Sequence, residues 1–158
     1  MTRASSPSSC PCGSAQTYAS CCEPFHRGAE PPDPERLVRA RFAAFACGEH
    51  AFLYRTLHPD HDDRARSERS FREGLAKSAR RARYRALRIL DRDGPDADGT
   101  WRVLFAVSAA MAGREASFVE LSSFLRDDAG FRYIGGRILP ASARIDLDTL
   151  TIARFLGL

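Results

Sequence analysis

Four of the chain's five cysteines fall within thirteen residues, as Cys10-Pro11-Cys12-Gly13, an eight-residue spacer and then Cys21-Cys22. This C-x-C-x8-C-C spacing constrains the N-terminal segment more than any other feature. Two sulfurs from one tight turn and two from an adjacent pair can converge on one tetrahedral ion, and zinc is the usual occupant of a closed four-sulfur site. Adjacent cysteines rarely bond to each other, because the ring is strained and the side chains diverge. The reading is therefore one structural zinc per chain on Cys10, Cys12, Cys21 and Cys22, with no open position for a substrate. Binding would be coupled to folding of the segment. His26, four residues beyond Cys22, is a rival ligand or a junction residue, and Arg27 is placed to offset the charge of the thiolates.

The chain has 158 residues, 44% apolar and 28% charged, enough for one core plus a small appendage. No apolar run approaches a membrane span. Residues 1–9 lack the apolar core of a signal peptide and read as a disordered leader. Clustered cysteines without a secretory signal place the chain in the cytoplasm, where metal binding is commoner than disulfide formation. The basic residues are nearly all arginine, Lys77 being the one lysine, which together with abundant alanine fits GC-rich coding. Between Arg64 and Arg92, eleven basic and three acidic residues give +8, leaving −4 elsewhere against a net charge of +4. That run is either a solvated helix face or a footprint for RNA or the ribosome.

Organisation follows the hydrophobic period. Residues 10–28 form the cysteine module and Ala29-Glu30-Pro31-Pro32 a stiff linker. Asp33-Pro34-Glu35 is a helix start, with Asp as N-cap and Pro in the first turn. Leu37, Val38, Phe42 and Phe45 give the apolar stripe, and Gly48 the C-cap. A short helix is expected over about 51–57 and a basic helix over about 67–80. The period then changes to two, with strands at 84–91, from Trp101 through Val107, at 118–125 and at 131–138, separated by Asp/Gly-rich turns. Helices followed by antiparallel strands indicate α+β, with helices on one face of a sheet. The tail, 139–158, is ambiguous. Asp146 could cap a helix through Phe155, or 145–152 could be a strand; the tail could also cover a sheet face otherwise free to dimerise.

The segment Cys10 to Cys22 resembles the SEC-C zinc-binding motif, named for the C-terminus of the SecA translocation ATPase. Leu37-Val-Arg39-Ala-Arg41-Phe42, Phe52-Leu53, Thr56-Leu-His58-Pro59, Glu120-Leu-Ser122-Ser-Phe124 and Tyr133 resemble the YchJ-like family of small bacterial proteins. The resemblance implies a SEC-C module joined, over 33–138, to a nuclear-transport-factor-2-like domain, a curved antiparallel sheet wrapped around helices as a cone. The chain departs from the pattern in its spacer, where Ala15 stands in place of a glycine and lysines are missing, and at Gly135, where an aspartate is usual. A left-handed backbone at Ala15 would cost roughly 1 kcal/mol. By analogy with SecA, the module would dock a protein partner.

Within the second domain, Glu120 shares a strand face with Phe118, Ser122 and Phe124. A carboxylate among phenylalanines is costly unless paired. Arg39 or Arg41 could reach it from the first helix as a helix–sheet link. Alternatively Glu120, His58, Ser122, Arg41 and Tyr133 would line a ligand pocket, with His58 as a base at its mouth or as a helix cap. His61, among Asp60, Asp62 and Asp63, reads as part of a solvated loop. Cys47, at a helix C-terminus that disfavours a thiolate, reads as a small core residue. The leading expectation is a non-enzymatic zinc-binding accessory protein. The alternatives are a small-molecule-binding or isomerase- or dehydratase-like cone, and an RNA-associated factor. The oligomeric state is open.

Overall fold

A computed structural model describes residues 9–142 and 144–158; the leader expected over 1–9 otherwise lies outside the described residues. Ser9 itself is ordered, pairing antiparallel with Thr17. After a 3-10 turn at Tyr18–Ser20 come helices α1 (Glu23–His26), α2 (Pro34–Cys47), α3 (His50–Arg55) and α4 (Glu68–Ala79). Strands β1 (Ala82–Asp93), β2 (Trp101–Met111), β3 (Arg114–Glu115), β4 (Phe118–Arg126) and β5 (Phe131–Pro140) follow, and α5 (Ile152–Leu156) ends the chain.

The caps explain the helix bounds. Asp33 accepts from the Arg36 amide at 2.8 Å, Pro34 opens α2, and Gly48 closes it with a left-handed φ of 78°. Ser67 caps α4 in the same way through the Ser70 amide.

The sheet is antiparallel in the order β1-β2-β4-β5, with the two-residue β3 on β2. Irregularities in β1 at Tyr84/Ala86 and Ile89/Asp91, and between β4 and β5 at Ser123/Phe124, bend it. The register puts Phe105 opposite Glu120, Val107 opposite Phe118 and Val103 opposite Ser122, all on the concave face. Val103, Phe105, Val107 and Phe118 meet α2, α3 and α4 in the main core, to which Phe42, Leu53, Leu57 and Phe124 also belong.

The convex face carries Leu104, Ala106, Val119 and Leu121, and the tail covers it. Neither expected form of the tail is found. Asp146 makes a local turn, accepting from the Asp148 amide at 3.0 Å, and Thr151 caps the helix instead. Leu150, Ile152 and Phe155 are buried on the sheet, Arg88 reaches Asp148 at 2.8 Å, and Asp91 accepts from the Ile152 amide at 2.9 Å. Phe155 is fully buried. Phe155→Ala is expected to destabilise the chain by about 3–5 kcal/mol, read as a lowered urea midpoint with unchanged slope.

The linker is fastened by Glu30, which bridges Arg55 at 2.6 Å and Arg132 at 2.7 Å. Arg55 also donates to the Phe25 carbonyl of α1 at 3.0 Å, so one acid joins module, helix and sheet. Gly130 lies against this carboxylate, and a Cβ there would meet Glu30 Oε1 at 2.7 Å. Burial alone would raise the Glu30 pKa, but the hydrogen bonds from Arg132 and Arg55 hold it below its ordinary 4.5. A depressed carboxylate pKa contributes stability above the unfolded value that is lost as pH falls through the folded one. Stability should therefore drop below about pH 4.5, and Glu30→Gln should flatten that limb of a pH–stability profile. At neutral pH the same change should cost about 1–2 kcal/mol, because it leaves the buried Arg132 short of its anion.

Candidate functional site

Two sites lie on opposite flanks of α2. The first is the cysteine cluster. Gly13, at φ 82°, closes a turn in which its amide donates to the Cys10 carbonyl at 3.1 Å. The Cys10 amide donates to the Gln16 carbonyl at 2.7 Å. The chain enters α1 at Cys22, whose carbonyl accepts from the Phe25 and His26 amides. These turns bring the four sulfurs within 4.8 Å of one another. Cys12 and Cys21 are 3.6 Å apart and Cys21 and Cys22 3.8 Å. Zinc–sulfur bonds of about 2.3 Å give tetrahedral edges of about 3.8 Å, so the donors are spaced for zinc.

The electrostatics also fit a cation. A hydrogen bond from Cys22, opposed by burial and helped by Ser14, pulls the Cys12 thiol down to about 4. The same contact and burial push Cys22 up, and burial raises Cys10 to about 11. Metal-free, the cluster favours ionising one of these three thiols, whereas four thiolates so close need a positive ion between them. All four cysteines are buried, at 0–3% exposure, in the same core as Leu37 and Val38 of α2.

His26 is committed elsewhere. Its Nε2 lies 2.8 Å from the Ala40 carbonyl, which can only accept, so Nε2 carries the proton and Nδ1 accepts from the Tyr18 hydroxyl at 2.6 Å. Burial lowers its pKa, as expected of a neutral ring. Arg27 does not serve the sulfurs; it turns to Glu49 at 3.2 Å and Glu23 at 3.8 Å. Arg39 comes closer, donating to the Cys12 carbonyl at 3.0 Å. Ala15 has a left-handed φ of 66°. Ala15→Gly should stabilise the module by up to about 1 kcal/mol, seen as a higher midpoint when metal is withdrawn by a chelator.

The second site is a cavity of about 340 Å³ between the concave sheet face and α2 and α4. Its walls include Phe42, Phe45, Tyr84, Phe105 and Phe118, and Arg41, His61, Asp63, Glu120, Ser122 and Tyr133 supply its polar groups. Glu120 is 8% exposed. Its Oε1 accepts from Ser122 Oγ at 2.8 Å and from the Tyr133 hydroxyl at 2.7 Å. The opposing strand makes room for it, since a Cβ on Gly136 would collide with Glu120 Oε1. Burial, then the neighbouring carboxylate, push the Tyr133 phenol well up, so it stays protonated and donates.

Neither arginine pairs with Glu120 in the way expected. Arg39 is on the cysteine side. Arg41 donates from Nη1 to the Leu53 carbonyl at 2.9 Å and to Thr56 Oγ1 at 2.7 Å, with its guanidinium 4.7 Å from the centre of the Tyr133 ring. Burial lowers Arg41 to about 10, so it is charged at neutral pH. Tyr133 thus stands between the cation and the carboxylate.

His58 does not line the cavity. Its amide donates to the Tyr133 carbonyl at 2.8 Å, and its Nδ1 accepts from the Asp60 amide at 3.1 Å. It pins the loop after α3 to β5 and does not cap α3. His61, expected in a solvated loop, instead takes the cavity position expected of His58, with its ring 5.4 Å from that of Tyr133. The fixing contact is local: His61 Nδ1 accepts from the Asp63 amide at 3.0 Å. A histidine immediately ahead of the acidic 3-10 turn Asp62–Ala65 was the available signal. Cys47, expected in the core, is exposed, because the buried face of α2 is filled by Leu37, Val38, Ala40, Phe42, Ala43 and Ala44. Four of the eleven basic residues of the run are in ion pairs: Arg85 with Glu115, Arg88 with Asp148, Arg92 with Glu35 and Arg69 with Glu73.

A curved antiparallel sheet closed by helices around a cavity, with a four-cysteine knuckle packed on its first long helix, defines the class. Residues 33–136 match the family described as YchJ, middle NTF2-like domain, and residues 8–24 match the SEC-C motif. The chain belongs to that YchJ family, and its cysteine cluster fits a zinc-binding module. It is similar to RPA3114, a SEC-C motif containing protein from Rhodopseudomonas palustris, at 25% identity and a TM-score of 0.68, over 82% of this chain and 98% of that one. A SEC-C motif containing protein from Psychrobacter arcticus shares the fold at 16% identity and a TM-score of 0.67, over 94% and 95%. So does a putative calcium/calmodulin-dependent protein kinase type II association domain from Thiobacillus denitrificans, at 15% and 0.56, over 72% and 99%. Among the described residues, no helix is long and apolar enough to cross a membrane.

Proposed function

We propose that this chain is a zinc-ordered binding protein. Cys10, Cys12, Cys21 and Cys22 hold one structural zinc ion per chain, and the cone behind them receives a small, largely apolar molecule. The observation that carries the reading is the cavity of about 340 Å³, whose aromatic walls end on Glu120, Ser122 and Tyr133. Few, convergent polar groups at the end of an apolar cleft are the usual make-up of a small-molecule site. Binding is favoured over catalysis because the polar atoms largely hold one another in place. Arg41 Nη1 is engaged twice, and Glu120 Oε1 already accepts two hydroxyls.

Bound zinc would supply four sulfur bonds and no open coordination position. The chain's own residues turn that into rigidity: Phe25 is buried against α2, His26 is bonded to Ala40, and Arg39 holds the Cys12 carbonyl. Burial of the cluster against α2 favours a structural role over partner docking. Metal analysis should find about one zinc per chain in the wild type and none in Cys12→Ser. That variant should also melt at a lower temperature as a whole, because the cysteines share the main core. Indole, an uncharged aromatic probe, should raise the melting temperature in a concentration-dependent way. Val107→Trp, which fills the cavity, should abolish the shift.

A further inference from the structure

The cavity's polar end has an unequal carboxylate. Both hydrogen bonds to Glu120 fall on Oε1, from Ser122 and Tyr133. Oε2 has no hydrogen-bond partner among the described residues. It is also not sealed away, since every fully buried side-chain nitrogen or oxygen among them has a partner. Glu120 lines the cavity, so Oε2 is the oxygen left to face an occupant. Leaving a carboxylate oxygen against aromatic walls without a donor is unfavourable, and an occupant that brings a donor removes that cost.

The remaining groups choose the kind of donor. Arg41 is the cation nearest the site, but its Nη1 is spent on Leu53 and Thr56 and its guanidinium lies by the Tyr133 ring. His61 Nδ1 is taken by the Asp63 amide. Asp63 adds a second carboxylate to the lining. An anionic occupant would meet two acids, Glu120 and Asp63, against one arginine, whose Nη1 is already engaged. A positively charged occupant would meet an open carboxylate oxygen, a second acid, and the rings of Phe42, Phe45, Tyr84, Phe105 and Phe118. Aromatic faces attract cations and accommodate an apolar body equally well.

We propose that the cavity binds a small amphiphilic amine, with its ammonium group donating to Glu120 Oε2 and its apolar body among the phenylalanines. This rests on the reading of the cavity as a binding site. Matched probe sets separate the two claims: phenethylamine, phenethyl alcohol and phenylpropionate, and tryptamine, tryptophol and indolepropionate, each titrated calorimetrically into the zinc-loaded protein. In at least one set the amine should bind ten-fold or more tightly than the alcohol, with the acid weakest. Glu120→Gln keeps an oxygen for Ser122 and Tyr133 but removes the charge, so it should erase the amine's advantage over the alcohol. Should the alcohol or acid bind as tightly as the amine in every set that binds, the amine assignment fails and the binding site stands. If no member of either set binds, both fail. The wild-type comparison decides the matter even if Glu120→Gln does not fold.

Discussion

The arrangement of the molecule depends on α2 being packed on two flanks at once. Ala40, Ala43 and Ala44 are fully buried, and such small residues let neighbouring elements approach the helix backbone closely. The α1 segment of the cysteine module packs against α2 on one flank, and β1 and β2 pack against it on another. Arg39 and Arg41 show how this works. Two residues along an α-helix is a rotation of about 200°, so consecutive arginines in the motif point to opposite sides. One holds the carbonyl of Cys12, and the other reaches Leu53, Thr56 and Tyr133 at the cavity. The cysteine knuckle and the cavity therefore lie on two faces of one helix.

This geometry also decides what Glu120 does. A direct ion pair with Arg41 would have closed the cavity by drawing helix and sheet together. Interposing Tyr133 keeps the charges apart while satisfying both, since the phenol donates to the carboxylate and the ring receives the guanidinium. The position of Tyr133 is fixed by its backbone. Its amide donates to the Thr56 carbonyl at 2.8 Å and its carbonyl accepts from His58, so the loop after α3 lies along β5 almost as a further strand. His58 contributes through its backbone where its side chain was the expected actor. The lever that moves His61 into the cavity wall is the same loop.

Much of this was legible in the residues. The C-x-C-x8-C-C spacing, the Asp33-Pro34 start of α2 and the alternation along β2 and β4 are local signals with one physical solution each. The inward set Phe118, Glu120, Ser122 and Phe124 follows from a period of two and needs no knowledge of partners. What was not legible depends on long-range contact. Arg39 and Arg41 look equivalent until the cysteine module is known to occupy one side of their helix. His61 sits in a loop without a period, and only the packing of that loop on β5 turns its ring toward Tyr133. Five residues of α5 are too few to show a helical repeat, and their helix exists because the convex sheet face buries Ile152 and Phe155.

The two faces of β2 and β4 end up with opposite treatments, and the difference locates whatever specificity the protein has. On the convex side Leu104, Ala106, Val119 and Leu121 are covered by the chain's own tail, held there by Arg88–Asp148 and Asp91–Ile152. That apolar surface is covered within the chain. On the concave side the same strands carry Glu120 and Ser122 among large rings, and the helices do not fill the space between them. A core built only for stability would place an aliphatic residue at 120 and an alanine at 122, and would leave no volume. The chain instead buries a carboxylate, gives it two hydroxyl donors, and reserves a glycine at 136 so that it fits. Each of these choices is unfavourable or neutral for folding taken alone. Together they keep one charged oxygen fixed at the end of an apolar cavity.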